Sequence, residues 1–251
     1  MHPKDQESLH REIEMLVPFI ASVLVYPPTA THIGEYVTGG SVLLACSATH
    51  RFLVTAEHVI RKIDALRGKS KIVVLLGGAG AAPINITDWP VIDRSQLVDI
   101  CTIGIPETFS PSEINKQFFQ VKNWPPRLAE VEDRVIIVGY PAAHRASHGK
   151  TLNTRYLPIQ DFVTDVGPRR FTVADEFGTR EIAINPEKLE FPDHVGGMSG
   201  SPAFRVNEID APEMLGVFSE GSDGLRGTYF CAHANFLNAD GKLAQSRLPP
   251  M

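Results

Sequence analysis

Three short stretches of this sequence hold residue types that can act on a carbonyl carbon. The first is Val195-Gly196-Gly197-Met198-Ser199-Gly200-Ser201-Pro202. Glycines on either side of a serine permit a tight turn and close approach of backbone to a substrate. Such a turn can aim the N–H groups of Gly197 and Ser199 at one point, where the oxygen of a carbonyl under attack gains negative charge. The same composition also suits a flexible Gly/Ser loop. The second stretch, Val54-Thr55-Ala56-Glu57-His58-Val59, ends a β-rich run at a histidine. A general base must be held rigidly and still face a cleft, and a strand end does both. Nine histidines are present, however, and one beside apolar residues is most often simply packed. The third, Leu97-Val98-Asp99-Ile100-Cys101, embeds a carboxylate in an apolar stretch. A buried carboxylate needs a partner. An imidazole N–H is suitable, and the carboxylate then fixes the imidazole tautomer. A strand-entry aspartate bonded to its own backbone is the alternative. Asp93, in the more polar Asp93-Arg94-Ser95, is the rival acid.

The elements that must hold these groups read mainly as strands. Residues Asp5 to Val17 form an amphipathic helical pattern through Leu9, Ile13, Leu16 and Val17, ended by Pro18. After it come short runs rich in Val, Ile and Leu: Ile20–Tyr26, Ser41–Cys46, Phe52–Thr55, Lys71–Leu76 and Asp99–Ile105. Residues 106–133 hold four prolines and mixed charge, and read as a connector with a short helix around Ser112–Phe119. Strands resume at Arg134–Tyr140, Arg155–Val166, Arg170–Ala174, Arg180–Asn185, Ala203–Val206, Met214–Ser219 and Thr228–Ala232, with a short C-terminal helix over Ala234–Arg247. Runs of strands without alternating helices predict an all-β protein built of antiparallel barrels rather than a βαβ sheet. The division expected is 1–18 helical extension, 19–105 first barrel, 106–133 connector, 134–236 second barrel and 237–251 C-terminal tail.

Composition narrows the setting. The chain has 251 residues, 43% apolar and 21% charged, ample for a packed core. Its formal net charge of −5, with scattered basic residues such as Arg169-Arg170, leaves no footprint for nucleic acid. The longest apolar run, Met15 to Tyr26, is broken by Pro18 and Ser22 and is too short for a membrane helix. No cationic leader precedes it, so no membrane partner and no secretory signal are expected. Cys46, Cys101 and Cys231 are odd in number and far apart, which disfavours a disulfide framework and a cysteine zinc site. These features together point to a reducing, cytoplasmic compartment. His144 and His148 have helical metal-ligand spacing but no nearby third ligand, so no metal is expected. Gly77-Gly78-Ala79-Gly80 lacks the Lys-Ser/Thr of a phosphate loop and reads as a hairpin turn.

The chain order His58, Asp99, Ser199 is the order of base, orienting acid and nucleophile used in chymotrypsin-type barrels. The sequence resembles the trypsin/chymotrypsin-like serine peptidases, and within them the bacterial, disulfide-free trypsin-like peptidase domains. Gly39-Gly40-Ser41 resembles the turn and strand before the catalytic histidine. Thr55-Ala56-Glu57-His58 resembles the histidine box, Asp99-Ile100 the aspartate box, and Val138-Gly139-Tyr140-Pro141 the turn opening the second barrel. Gly197-Met198-Ser199-Gly200-Ser201-Pro202 resembles the nucleophile box, and Leu215–Ser219 the strand after it.

The resemblance implies two six-stranded antiparallel barrels with short terminal helices and an active site between them. It implies Ser199 as nucleophile, His58 as general base, Asp99 as its orienting acid, and Gly197 and Ser199 as oxyanion-hole donors. It requires no cofactor. Secreted relatives carry, before the nucleophile, an aspartate that pairs with a freed N-terminus. Met198 stands there, so the oxyanion hole must form by another route. Glu57 replaces a small residue, and either raises the His58 pKa or faces water. The resemblance places the primary pocket near Asp193, Ser219, Gly221 and Gly227. Asp193 either sits at the pocket floor and favours Arg or Lys, or caps a turn after Pro192. His194, Glu220 and His233 are also near, and a pocket histidine would favour acidic or Gln side chains.

Three functions compete. The first is a serine endopeptidase acting on protein or peptide substrates through an acyl-enzyme, restrained by its conformation or a regulatory protein partner. The second is a catalytically silent member of the same fold that binds peptides or partner proteins. The third, an α/β-hydrolase esterase, needs G-x-S-x-G and a later acid and histidine. Position 201 is Ser and only His233 follows.

Overall fold

The computed structural model describes residues 3–27, 37–68, 72–77, 82–148, 151–175, 195–206, 211–222 and 227–250. Asp193, His194 and the strand expected at 180–185 lie outside them.

The chain opens with helix α1 (Pro3–Leu16). The first half then forms strands β1 (Ile20–Tyr26), β2 (Thr38–Cys46), β3 (Arg51–Thr55), β4 (Val73–Gly77), β5 (Ile84–Asn85), β6 (Val91–Ser95), β7 (Ile100–Gly104) and β8 (Phe119–Gln120). They make one open sheet in the order β5-β4-β1-β2-β3-β7-β6. All pairings are antiparallel except that of β8, which runs parallel to β2. The closed six-stranded first barrel expected from the sequence is therefore corrected to an open sheet. Its edge strands, the two-residue β5 and β6, do not pair with each other.

The second half forms β9 (Arg134–Gly139), a two-stranded pair of β10 (Arg145–His148) with β11 (Thr151–Thr154), then β12 (Leu157–Val166), β13 (Arg170–Ala174), β14 (Pro202–Arg205), β15 (Glu213–Gly221) and β16 (Thr228–His233). Six of these close into an antiparallel barrel in the order β12-β13-β16-β15-β14-β9. His144 stands in a short 3-10 turn and His148 on β10, so they share no helical face.

Helix α2 (Glu57–Arg67) lies inside the first half, where only strands were anticipated. Its signals are present in the sequence: Val59, Ile60 and Ile63 share a buried face, with Glu57 in the first turn and Arg67 in the last. The expected C-terminal helix is replaced by two 3-10 turns, Ala234–Phe236 and Gln245–Arg247. Gly241, at φ 80°, turns the chain so that Leu237 and Leu243 bridge. In the connector, a 3-10 turn at Pro111–Ile114 replaces the short helix, and Asn115 in the left-handed region stops it.

The core joins the halves. One buried cluster combines Leu9, Ile13 and Leu16 of α1 with Leu43 and Phe52 of the sheet and Ile136, Tyr140 and Phe204 of the barrel. Buried Glu12 of α1 meets Arg134 of β9 through two hydrogen bonds of 2.9 and 2.6 Å. Lys116 is buried as well; its ammonium donates to the Tyr140 hydroxyl at 2.8 Å and the Val17 carbonyl at 3.0 Å. Among the described residues no helix is long and apolar enough to cross a membrane.

Candidate active site

Strand β3 ends at Thr55, Ala56 stays extended, and α2 begins at Glu57. His58 therefore sits in the first turn of a helix rather than at a bare strand end. Its partner is the turn before β7, where Asp99 adopts φ 54°, a left-handed conformation that Asp tolerates better than most residues. The Asp99 carboxylate meets His58 twice. Oδ2 lies 2.8 Å from Nδ1, and Oδ1 accepts the His58 backbone N–H at 2.9 Å. The Asp99 carbonyl also accepts the Glu57 N–H at 3.2 Å. One aspartate thus caps the helix, where its negative charge is favoured, and orients the imidazole. With a carboxylate on Nδ1, that nitrogen carries the proton and Nε2 is left as the acceptor. The rival Asp93 is engaged elsewhere: its carboxylate accepts the N–H of Arg94 at 2.8 Å and of Leu243 at 2.9 Å.

The turn around Ser199 is pressed onto the first sheet. Gly197 and Gly200 have φ of 94° and 90°. A Cβ on Gly200 would collide with the Ser41 carbonyl and the Thr55 hydroxyl, so only glycine fits. A Cβ on Gly40 would come within 2.9 Å of the Ser199 carbonyl. That carbonyl accepts the Ser41 N–H at 2.9 Å, tying the barrel's turn to β2. Among the described residues, no group accepts a hydrogen bond from the N–H of Gly197 or Ser199.

His58, Asp99 and Ser199 line one cleft of about 900 Å³ between the sheet and the barrel. The Ser199 hydroxyl donates to the Ser219 carbonyl at 3.3 Å, and no hydrogen bond joins it to His58. That carbonyl is available because β15 bulges there: Phe218 pairs with Cys231 and Glu220 with Phe230, leaving Ser219 out of register.

The remaining expected residues divide. Ser219 and Gly221 line the cleft. Gly221 packs so closely on Tyr229 that a Cβ would lie 2.5 Å from its ring. Gly227 is buried and does not line the cleft. His233 does not line it either; its ring lies 5.5 Å from that of Phe171 and its Nε2 donates to the Gly167 carbonyl at 2.8 Å, while burial pushes its pKa down. Glu57 does not face water: it is 1% exposed, and Arg61 is 3.7 Å away. Met198 is wholly buried. Arg61, Arg169 and Arg170 line the cleft and were not anticipated there. Arg170 pairs with Glu220 at 2.5 Å, whereas Arg169 has no carboxylate partner among the described residues.

This geometry defines the class of site: an acid-oriented histidine and a serine in one cleft beside a six-stranded barrel, with Gly197, whose N–H like that of Ser199 has no acceptor among the described residues, next to Gly196 of the lining. No protein-family model matches the sequence, and no curated protein matches it. Solved structures do. The serine endoprotease from Yersinia pestis aligns with a TM-score of 0.54 at 16% identity, covering 89% of this chain and 61% of its own length. Deg5 aligns at 0.53 with 11% identity over 93% of this chain and 90% of its own. The thermostable serine protease AL20, from an extremophilic microorganism, aligns at 0.50 with 14% identity over 86% and 91%. The chain thus spans about three fifths of the Yersinia pestis protein. At these identities the likeness is one of fold. This chain has the trypsin-like serine-protease fold of bacterial proteases, and its three cysteines are all free.

Proposed function

We propose that this protein is a serine endopeptidase that works through an acyl-enzyme. The observation that carries the proposal is the convergence of the His58–Asp99 pair and Ser199 on one cleft, with the N–H groups of Ser199 and of neighbouring Gly197 unengaged among the described residues. The reaction requires rotation about the Ser199 Cα–Cβ bond to bring Oγ from the Ser219 carbonyl to His58 Nε2. A loose nucleophile–base contact before substrate arrives is common. The Oγ proton then passes to Nε2 as the Oγ–C bond forms, and the carbonyl oxygen takes up the electron pair between the two amides. Imidazolium, steadied by Asp99, returns the proton to the leaving amine as the C–N bond breaks. Water repeats the sequence on the ester. Every group named belongs to the chain, and the partner required is a peptide or protein substrate. Three free thiols suit a reducing compartment. We therefore place the protein in the cytoplasm, with conformation or a regulatory protein as its restraint.

The bond from Ser199 to Ser219 favours a second reading, a silent member of the fold that binds peptides. Peptide-library cleavage separates the two. The endopeptidase cleaves at defined positions and loses this in Ser199→Ala. A silent binder holds peptides uncut and indifferent to that change. The same library tests Asp193: cleavage after Arg or Lys, abolished in Asp193→Ala, assigns it to the primary pocket.

A further inference from the structure

We propose that Ser41 and Ser201 are positioning residues that hold the oxyanion hole in its working shape, an uncharged lock in place of an ion pair. The inference rests on the reading of Ser199 as nucleophile and adds how its hole is kept.

In a trans peptide the C=O and N–H point in opposite directions, so fixing one fixes the other. The two donors of the hole belong to the peptides 196–197 and 198–199, and both carbonyls are hydrogen-bonded. The Gly196 carbonyl accepts the Ala142 N–H at 2.6 Å. The Met198 carbonyl accepts two bonds from Ser201, from its N–H at 2.8 Å and its hydroxyl at 2.6 Å. Between them, the Gly197 carbonyl accepts the Ser41 hydroxyl at 3.1 Å, while that hydroxyl accepts the Tyr140 N–H at 2.9 Å. Three successive carbonyls are thereby bonded to Ala142, Ser41 and Ser201, none of which lines the cleft.

Both serines are 0% exposed, and a buried hydroxyl is retained only where it bonds. Gly139 of β9 is fitted to them. A Cβ there would overlap the Ser201 hydroxyl and come within 3.0 Å of the Ser41 hydroxyl. Positions 41, 139 and 201 come from β2, β9 and the nucleophile turn, and each has the size the others require. Met198, buried beside the nucleophile, brings no charge. Backbone amides and two hydroxyls therefore do this work.

The test compares crystal structures and kinetics of Ser201→Ala, Ser41→Ala and the wild type. In Ser201→Ala we expect the 198–199 peptide to turn, taking the Ser199 N–H with it, and in Ser41→Ala we expect the freed 197–198 peptide to turn and carry an adjoining donor peptide, 196–197 or 198–199, out of place. In kinetics we expect kcat to fall roughly 10- to 100-fold with KM within about twofold, and affinity for a peptide aldehyde to fall in step with kcat. Both peptides staying in place, with kcat and aldehyde affinity within about twofold of wild type, overturns the proposal. So does an equal loss of KM and aldehyde affinity, which marks a merely structural role. If Ser41→Ala fails to fold, Ser201→Ala decides alone, since the Ser201 N–H still holds Met198. A wild type that cleaves no peptide fails the endopeptidase reading, while peptide orientation in the variants still decides the lock.

Discussion

Asp99 grips His58 by ring and backbone at once, with 2.8 Å from Oδ2 to Nδ1 and 2.9 Å from the backbone N–H to Oδ1. The same carboxylate caps α2 and selects the imidazole tautomer. Asn at position 99 keeps an oxygen for the cap and can present an amide N–H to the ring. Asp99→Asn is expected to lower kcat roughly 10⁴-fold. Its melting temperature should stay close to wild type, since Asn and Asp cap equally well. Steady-state kinetics beside a thermal melt check this; a large loss of stability with little loss of kcat would make Asp99 a structural cap only.

Helix α1 is part of the folded body. Leu9, Ile13 and Leu16 share a cluster with residues of both halves, and Glu12 is fastened to Arg134. Arg134 is partly exposed and keeps its bond to Gln160, so losing the charged hydrogen bonds in Glu12→Ala is expected to destabilise by about 1.5–3 kcal/mol. Ile13→Ala should cost about 2–5 kcal/mol through the cavity it leaves. Urea unfolding measures both.

Lys116 gives a pH signature. Burial lowers its pKa from 10.5 to about 8, and it faces the Tyr140 hydroxyl and the Val17 carbonyl without a carboxylate. Between about pH 8 and 10.5 the folded amine is neutral while the unfolded one keeps its proton, so unfolding takes up a proton and stability rises with pH. The rise is at most on the order of 3 kcal/mol. Buried Cys101, raised to about 12, works in the opposite sense above pH 9.0. The measurement is therefore the wild type against Lys116→Met. Their stability difference should move in favour of wild type as pH rises through 8; a flat difference would refute the assignment.

Charge in the cleft bears on substrate choice. Of the two acids lining it, Asp99 is bonded to His58 and Glu220 to Arg170, while Arg169 has no such partner among the described residues. Peptides carrying Asp or Glu on the flanks of the cut are expected to be cleaved several-fold better than Lys-bearing counterparts at low salt. Arg169→Ala should reduce that ratio. A ratio unchanged in the variant would remove Arg169 from recognition.

The residues grouped in this cleft are more legible in the sequence than the frame that groups them. His58, Asp99 and Ser199 lie in short motifs whose neighbours betray them, such as the glycines on both sides of Ser199. Helix α2 hides because its eleven residues follow a strand directly, and a histidine after apolar residues reads as a strand end. Closure of a sheet depends on whether edge strands meet, and nothing local to β5 or β6 encodes that. The Ser41–Gly139–Ser201 fit joins residues far apart in the chain, so each looks ordinary until folding brings them together. His233 looks like a pocket residue by position, yet its ring is packed beside Phe171 and Phe236.

The most direct test of the site is the rate at which a fluorophosphonate labels Ser199. The account predicts stoichiometric labelling of wild type, none at this position in Ser199→Ala, and labelling slowed by roughly 10³-fold or more in His58→Ala. A wild type that resists the reagent, or a His58→Ala variant that reacts as fast as wild type, would contradict it.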